Sequence, residues 1–239
     1  MNRRAWLAVF AAAALGGGGG YLGYRWQSAP GPDTALTPAV PVARANGVPA
    51  RVDAPNAEPA LKVPETLPDV HLADLQGQKR SLRDFGRRPL IVNFWATWCE
   101  PCRREMPLLS ALRDEYRSER LEIVGIAVDF LDSVSAFLQK TPLAYPQLVG
   151  EEDGMEAARA FGMQMVLPFS VFVDEQDRII AVTVGELHRD EALAILDAMR
   201  GLRAGKVSLA DTRARITRQL SLLAAARATM AASAGAAGR

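Results

Sequence analysis

The chain has 239 residues and a net charge of +1 at pH 7, with 28 basic side chains against 27 acidic ones. With that balance and no run of basic residues, nothing points to binding of nucleic acid driven by phosphate electrostatics. There are only two cysteines, Cys99 and Cys102, and only two histidines, His71 and His188. A framework of structural disulfides is thereby excluded, and a four-ligand zinc site around Cys-x-x-Cys lacks ligands at suitable spacing.

Met1 to Arg4 is a short positive start, and Ala5 to Tyr24 follows without a charge. At a helical rise of about 1.5 Å per residue this stretch reaches about 30 Å, one hydrocarbon thickness. Trp6 sits near one end and Tyr21, Tyr24 and Trp26 near the other, as aromatic residues at a membrane–water interface do. Residues 5–26 are therefore expected to be a transmembrane anchor, with residues 1–4 in the cytoplasm and the bulk of the chain outside. The competing reading is a cleaved signal peptide. Ala5 to Leu15 has the length of a signal core, and Gly16 to Gly20 weakens a helix, but no Ala-x-Ala follows closely. Either reading exports the rest of the chain from the cytoplasm. Residues 27–66 carry eight prolines and no sustained period of 2 or 3.6, which suits a semi-extended linker.

The folded part is expected at residues 67–205. Val70 to Ser81 reads as a hairpin turning at Gln76-Gly77-Gln78, and Ser81 caps a short helix, Leu82 to Phe85. Leu90 to Ala96 is a near-continuous apolar run, the mark of a strand buried on both faces. A helix starts near Cys99 with Pro101 at a tolerated early position, and Pro107 inside it is expected to kink it. Leu121 to Val128 is a second buried strand. Asp132 is expected to cap a helix over Ser133 to Lys140, and Gly154 to Phe161 forms another, ended by Gly162. Ser170 to Asp174 and Ile179 to Val184 are strands joined by Glu175-Gln176-Asp177. Asp190 to Leu202 is an amphipathic helix with Leu193, Leu196 and Met199 on one face. This order predicts an α/β domain: a mixed sheet covered by helices on both faces. In residues 206–239, Ile216, Leu220, Leu223 and Met230 recur at helical spacing, so one added helix is expected, with a frayed Ala-rich tail from Ala231.

Cys99-Glu100-Pro101-Cys102 lies at a strand-to-helix junction, which suits a dithiol that opens and closes a disulfide. Unpaired N–H groups and the helix dipole favour a thiolate at Cys99, making it the expected nucleophile. Cys102, one turn further in, is the expected resolving thiol. A negative charge on Glu100 disfavours the Cys99 thiolate and pushes the couple toward reducing behaviour, while Arg103 and Arg104 push the other way. Trp95 is expected in the core and Trp98 as a partly exposed ring beside Cys99.

Phe94-Trp95-Ala96-Thr97-Trp98-Cys99-Glu100-Pro101-Cys102 after an apolar strand, with Leu167-Pro168-Phe169-Ser170 before a strand–turn–strand, resembles the thioredoxin superfamily. Over about Leu67 to Leu202 the chain is similar to the TlpA/ResA-like group of membrane-anchored, extracytoplasmic thiol–disulfide oxidoreductases. The resemblance implies a thioredoxin-like fold with an N-terminal β-hairpin extension, and a cis peptide bond before Pro168. It implies a substrate groove made by Trp98, Glu100, Pro101, Leu167 and Pro168. Phe169 stands where the group often carries a small Thr or Ser, which bears on the groove's shape. Thioredoxin proper has a buried Asp where this chain has Asn93, whereas Glu105 matches a glutamate that the ResA-like group keeps near its active site. At i+3 from Cys102 it could exchange that thiol's proton.

The implied activity is reduction of protein disulfides outside the cytoplasm, on apocytochrome c haem-site cysteines or a copper-site protein. Electrons would come from a membrane thiol transporter of the DsbD/CcdA kind, with no cofactor beyond the Cys99–Cys102 disulfide and no metal. Two alternatives stand beside this: a copper-handling or substrate-binding thioredoxin-like module, and a disulfide oxidase or isomerase. The copper reading has His188 as its histidine candidate. Met155, Met163 and Met165 are expected to be gap-filling residues rather than soft-metal ligands.

Overall fold

A computed structural model describes residues 62–164 and 166–237. Residues 1–4, the expected anchor at 5–26, most of the expected linker and Met165 lie outside the described residues. Among the described residues no helix is long and apolar enough to cross a membrane.

Seven strands form one mixed sheet: β1 (His71–Asp74), β2 (Lys79–Ser81), β3 (Leu90–Trp95), β4 (Glu122–Ala127), β5 (Gln147–Val149), β6 (Phe169–Val173) and β7 (Ile179–Val184). Their spatial order is β2-β1-β5-β4-β3-β6-β7. The centre, β3, β4 and β5, is parallel; β6 and β7 add antiparallel on one side and the β1–β2 hairpin adds antiparallel through β5 on the other. Every residue of β3 is buried, as its unbroken apolar run requires. Strand β5 was not legible in sequence. Three residues between Pro146 and Gly150 are too few to show alternation, yet without them the hairpin would have no edge to join.

Among the described residues five α-helices join the sheet: α1 (Glu100–Glu115), α2 (Leu131–Lys140), α3 (Glu152–Ala160), α4 (Arg189–Arg203) and α5 (Leu209–Ala237). Phe94, Val124, Ile126 and Val171 pack with Ala157, Ala158 and Phe161 of the α3 region on one side of the sheet. Ile91, Ile123, Phe172 and Ile180 pack with Leu109 and Leu112 of α1 and Ile195 and Met199 of α4 on the other. Ile216 of α5 joins this second cluster.

Several local expectations change. Asp132 is not the cap of α2; the helix starts at Leu131 after Phe130, which offers no side-chain cap, and Asp132 lies in the first turn where its charge suits the dipole. The chain beyond Ala231 is helical to Ala237 rather than frayed, in keeping with alanine's helix propensity. The end of the expected linker is tied to the domain: Glu65 O accepts from Ile179 N–H at 2.9 Å, and Thr66 bridges Arg178.

One rung of the sheet is polar. Gln147, Gly125, Asn93, Ser170 and Thr183 are register neighbours across β5, β4, β3, β6 and β7. Residues on one rung face the same side, here the side that carries α1 and α4. Gln147 fits because Gly125 lacks a side chain: a Cβ at 125 would fall inside the Gln147 amide group. Trp95 Nε1 donates to Gln147 Oε1 at 2.9 Å, and Gln147 Nε2 donates to Tyr145 O at 3.2 Å. Replacing Gly125 with Ala should therefore force Gln147 off the Trp95 indole and lower stability by about 1–3 kcal/mol. Thermal or urea unfolding checks this, and an unchanged midpoint would mean that Gln147 has another place to go.

Candidate active site

Strand β3 ends at Trp95 and α1 begins at Glu100, so the intervening turn hands the chain from the sheet to a helix N-terminus. The turn is pinned from β4's side: Asp129, only 7 % exposed, accepts from Thr97 N–H at 3.0 Å and from Thr97 Oγ1 at 2.5 Å. Cys99 is the N-cap of α1, and its Sγ accepts from Cys102 N–H at 3.3 Å. Cys99 and Cys102 form a disulfide; Cys99 is 5 % exposed and Cys102 fully buried. Trp98 stands out at 67 % exposure, whereas Trp95 is buried in the cluster that holds both cysteines.

The peptide bond between Leu167 and Pro168 is cis. Leu167 packs against the buried cluster that includes Cys99, Cys102, Trp95 and Met106. Pro168 O accepts from Gly185 N–H at 2.8 Å, and Gly185 has a φ of +91°, a conformation that a side chain disfavours. Phe169 does not shape the groove. Its ring is 1 % exposed and stacks on Phe94 with centroids 4.2 Å apart.

Glu105 lies one turn beyond Cys102 on α1 and is 2 % exposed. Its Oε1 accepts from Asn93 Nδ2 at 2.6 Å and its Oε2 from Leu187 N–H at 2.6 Å. Asn93 Nδ2 also donates to Ser170 Oγ at 3.0 Å, while Asn93 Oδ1 is buried without a partner among the described residues. Burial pushes the Glu105 carboxyl up to about 7; the bonds from Leu187 and Asn93 oppose this, and the Glu186 carboxylate adds to it. Tyr145 shares the region. Burial raises its hydroxyl, Glu105's charge raises it further, and its oxygen has no hydrogen-bond partner among the described residues.

At the surface, Arg104 is engaged by two carboxylates: Glu186 at 2.7 Å and Glu100 at 3.2 Å. Its charge is therefore shared between them rather than free beside Cys99.

Against this geometry the chain was compared with known proteins. A sequence model of the AhpC/TSA family matches residues 63–182. The chain belongs to this thioredoxin-like family. Thiol-disulfide oxidoreductase ResA of Bacillus thuringiensis subsp. konkukian is 30 % identical to it over 135 residues, 56 % of this chain and 76 % of ResA. Thioredoxin-like protein YneN of Bacillus subtilis is 34 % identical over 146 residues, 59 % of this chain and 82 % of YneN. A Chlorobium tepidum crystal structure, described as thiol:disulfide interchange protein DsbE, has a TM-score of 0.52 at 25 % identity, covering 58 % of this chain and 99 % of its own. The protein is a thiol-disulfide oxidoreductase of the ResA/DsbE type.

In this oxidoreductase the residues singled out in sequence divide into three groups. Cys99 and Cys102 share one buried cluster beyond the end of β3, Leu167 packs against it, Pro168 follows in a cis bond, and Glu105 is buried one turn further along α1. Glu100 and Trp98 are at the surface, and Pro101 lies in the first turn of α1. His188 precedes α4, and Met155 and Met163 pack on the opposite sheet face as gap-filling residues. Among the described residues no group of three or more His, Cys, Asp or Glu side chains is arranged to hold a metal. Sequence reasoning missed Asp129, Tyr145, Gln147, Ser170 and Leu187. The first four carried a faint signal, polar residues within or beside apolar runs, but Leu187 acts through its backbone and carried none.

A carboxyl raised from 4.5 to about 7 makes stability depend on pH. Between those values the folded chain holds more proton at Glu105 than the unfolded chain does. Its contribution is complete below about 4.5 and is lost as the pH rises through about 7. Oxidised wild-type protein should lose on the order of 2–3 kcal/mol across that window, and the Glu105→Gln variant should not. Urea unfolding at several pH values compares them; parallel curves would show that the carboxyl keeps an ordinary affinity for its proton.

Proposed function

We propose that the chain is an extracytoplasmic reductase of protein disulfides. Residues 5–26 tether it to the cytoplasmic membrane, residues 27–66 give it reach, and the domain over 67–205 works outside the cytoplasm. The observation that carries the chemistry is the buried Glu105 carboxyl, placed one helical turn from Cys102 and tuned to the neutral range.

The reaction begins with the Cys99 thiolate attacking one sulfur of a substrate disulfide. A Cys99–substrate disulfide forms, and the other substrate sulfur leaves as a thiolate that takes a proton from solvent. Cys102 then gives its proton to the Glu105 carboxylate and attacks Cys99 Sγ. The second substrate thiolate leaves, and the Cys99–Cys102 disulfide closes. Two electrons have passed to the substrate, and an external dithiol must return them.

A carboxyl near neutrality can take this proton and release it in each cycle. Asn93 suits both states. Its Nδ2 faces the carboxylate, and an amide rotated by half a turn would present Oδ1 to the carboxylic acid. An aspartate at position 93 could not do this without a second buried charge.

Direction is supported by the charges at the surface. Glu100 beside Cys99 disfavours the thiolate, and Arg104 is shared between two carboxylates. A less stabilised thiolate means a less stabilised reduced form and a more reducing couple. By kinship with the ResA/DsbE type, substrates are apocytochrome c haem-site cysteines or a copper-site protein. The electron donor is a membrane thiol transporter of the DsbD/CcdA kind.

Equilibration of the full chain with glutathione and dithiothreitol buffers should give a potential nearer to about −270 mV than to about −120 mV; the latter would overturn the reductase assignment. With a bis(nitrobenzoate) disulfide as substrate, reduced wild type should release two thionitrobenzoates in sequence. Cys102→Ser should stop after the first. Glu105→Gln should slow the second release roughly tenfold or more near neutral pH and flatten its pH dependence; an unchanged profile would reduce Glu105 to a structural residue. In intact cells a thiol reagent that cannot cross the cytoplasmic membrane should label reduced Cys99, and protection until lysis would refute the external location.

A further inference from the structure

The family match ends at residue 182, and α5 lies wholly beyond it. Yet α5 reaches the segment that holds Glu105. It runs antiparallel to α4: Arg215 pairs with Asp197 within α4 at 3.3 Å, and further along α5, Arg227 meets Asp190 and Glu191 in the first turn of α4. Arg227 Nη1 donates to both Asp190 carboxylate oxygens at 3.1 Å, and its Nη2 donates to Glu191 Oε1. Glu191 Oε2 accepts from His188 N–H at 3.1 Å. The next residue back is Leu187, whose N–H is the backbone donor to Glu105. From the other side Arg104 of α1 holds Glu186, and Glu115 of α1 holds Arg189.

We propose that Arg227 is a positioning residue for Glu105: by fixing Asp190 and Glu191 at the start of α4, it keeps the Leu187 N–H aimed at the buried carboxylate. The proposal rests on Glu105 being the proton partner of Cys102. The polar and titratable groups near this carboxyl are the Asn93 amide from β3, the Leu187 N–H and Glu186 carboxylate from the turn before α4, the Tyr145 hydroxyl from the turn before β5, and Cys102 from α1 itself. Among the described residues, the ion pairs of α5 connect to this set through Glu191 and His188, next to the turn before α4. Exposed ion pairs add little to global stability. Asp190 is half exposed, but Glu191 is only 13 % exposed and also caps His188, so the consequence of losing Arg227 is local. If the turn loosens, the carboxylate loses a donor that favours its ionised form, and it accepts the Cys102 proton only at higher pH.

The test uses the full chain, reduced, with the bis(nitrobenzoate) disulfide, following the first and second thionitrobenzoate releases against pH. In Arg227→Ala and Arg227→Gln the midpoint of the second release should move up by roughly half to one pH unit, with the first release unchanged. Arg227→Lys, which keeps the charge without the forked geometry, should shift it less. Arg215→Ala breaks the other α4–α5 ion pair and should leave the midpoint where it is. An unmoved midpoint in both Arg227→Ala and Arg227→Gln, or an equal shift in Arg215→Ala, would overturn the proposal. Glu105→Gln separates the two readings. If it leaves the wild-type midpoint intact, the role of Glu105 fails; if it abolishes the midpoint while the Arg227 variants do not move it, only the role of Arg227 fails.

Discussion

A carboxyl group removed from water strongly favours its protonated form unless donors are supplied to it, and the arrangement around Glu105 is a balance between these effects. The side chain is 2 % exposed, yet the Asn93 amide and the Leu187 N–H each approach it at 2.6 Å. Three elements must therefore keep their places together: β3 for Asn93, α1 for Glu105, and the turn before α4 for Leu187. That same α1 carries Cys99 at its cap and Cys102 one turn in, so the fold that sets the proton affinity also sets the dithiol.

The sheet supplies the other half of this environment. A polar rung in the middle of an apolar sheet is costly unless its members satisfy one another. Here Gln147 serves Trp95, Asn93 serves both Glu105 and Ser170, and Gly125 leaves the room that the Gln147 amide occupies. The short β5 matters more than its three residues suggest. It places Gln147, brings Tyr145 near Glu105, and joins the β1–β2 hairpin to the rest of the sheet.

Much of this was readable in the chain. The apolar run before Cys99, the Cys-Glu-Pro-Cys turn and the Leu167-Pro168 step predicted a buried strand, a helix-capping pair of cysteines and a cis bond, and the structure has all three. Glu105 and Asn93 were legible as a pair only through resemblance, because a glutamate on a helix has no spacing that distinguishes a buried one from a solvated one. Where Phe169 points was not legible for a related reason: sequence adjacency to Pro168 does not say which face of β6 it occupies, and stacking on Phe94 draws it into the core. Asp132 was taken for a cap on residue type alone, whereas α2 begins earlier, at Leu131.

By itself the sequence determined that two thiols sit at a strand-to-helix junction, and that an apolar α/β domain follows a charge-free stretch and a proline-rich one. Those are local properties: composition, period and spacing within a few residues. Only the tertiary structure decided which groups surround Glu105. Leu187 contributes a backbone N–H, which any residue type has, and it lies 82 positions away along the chain. Tyr145, Ser170 and the turn clamped by Arg227 come together only when β5, β6, α4 and α5 have packed. A proton affinity is a sum over neighbours in space, and for a buried carboxyl those neighbours come from every part of the fold.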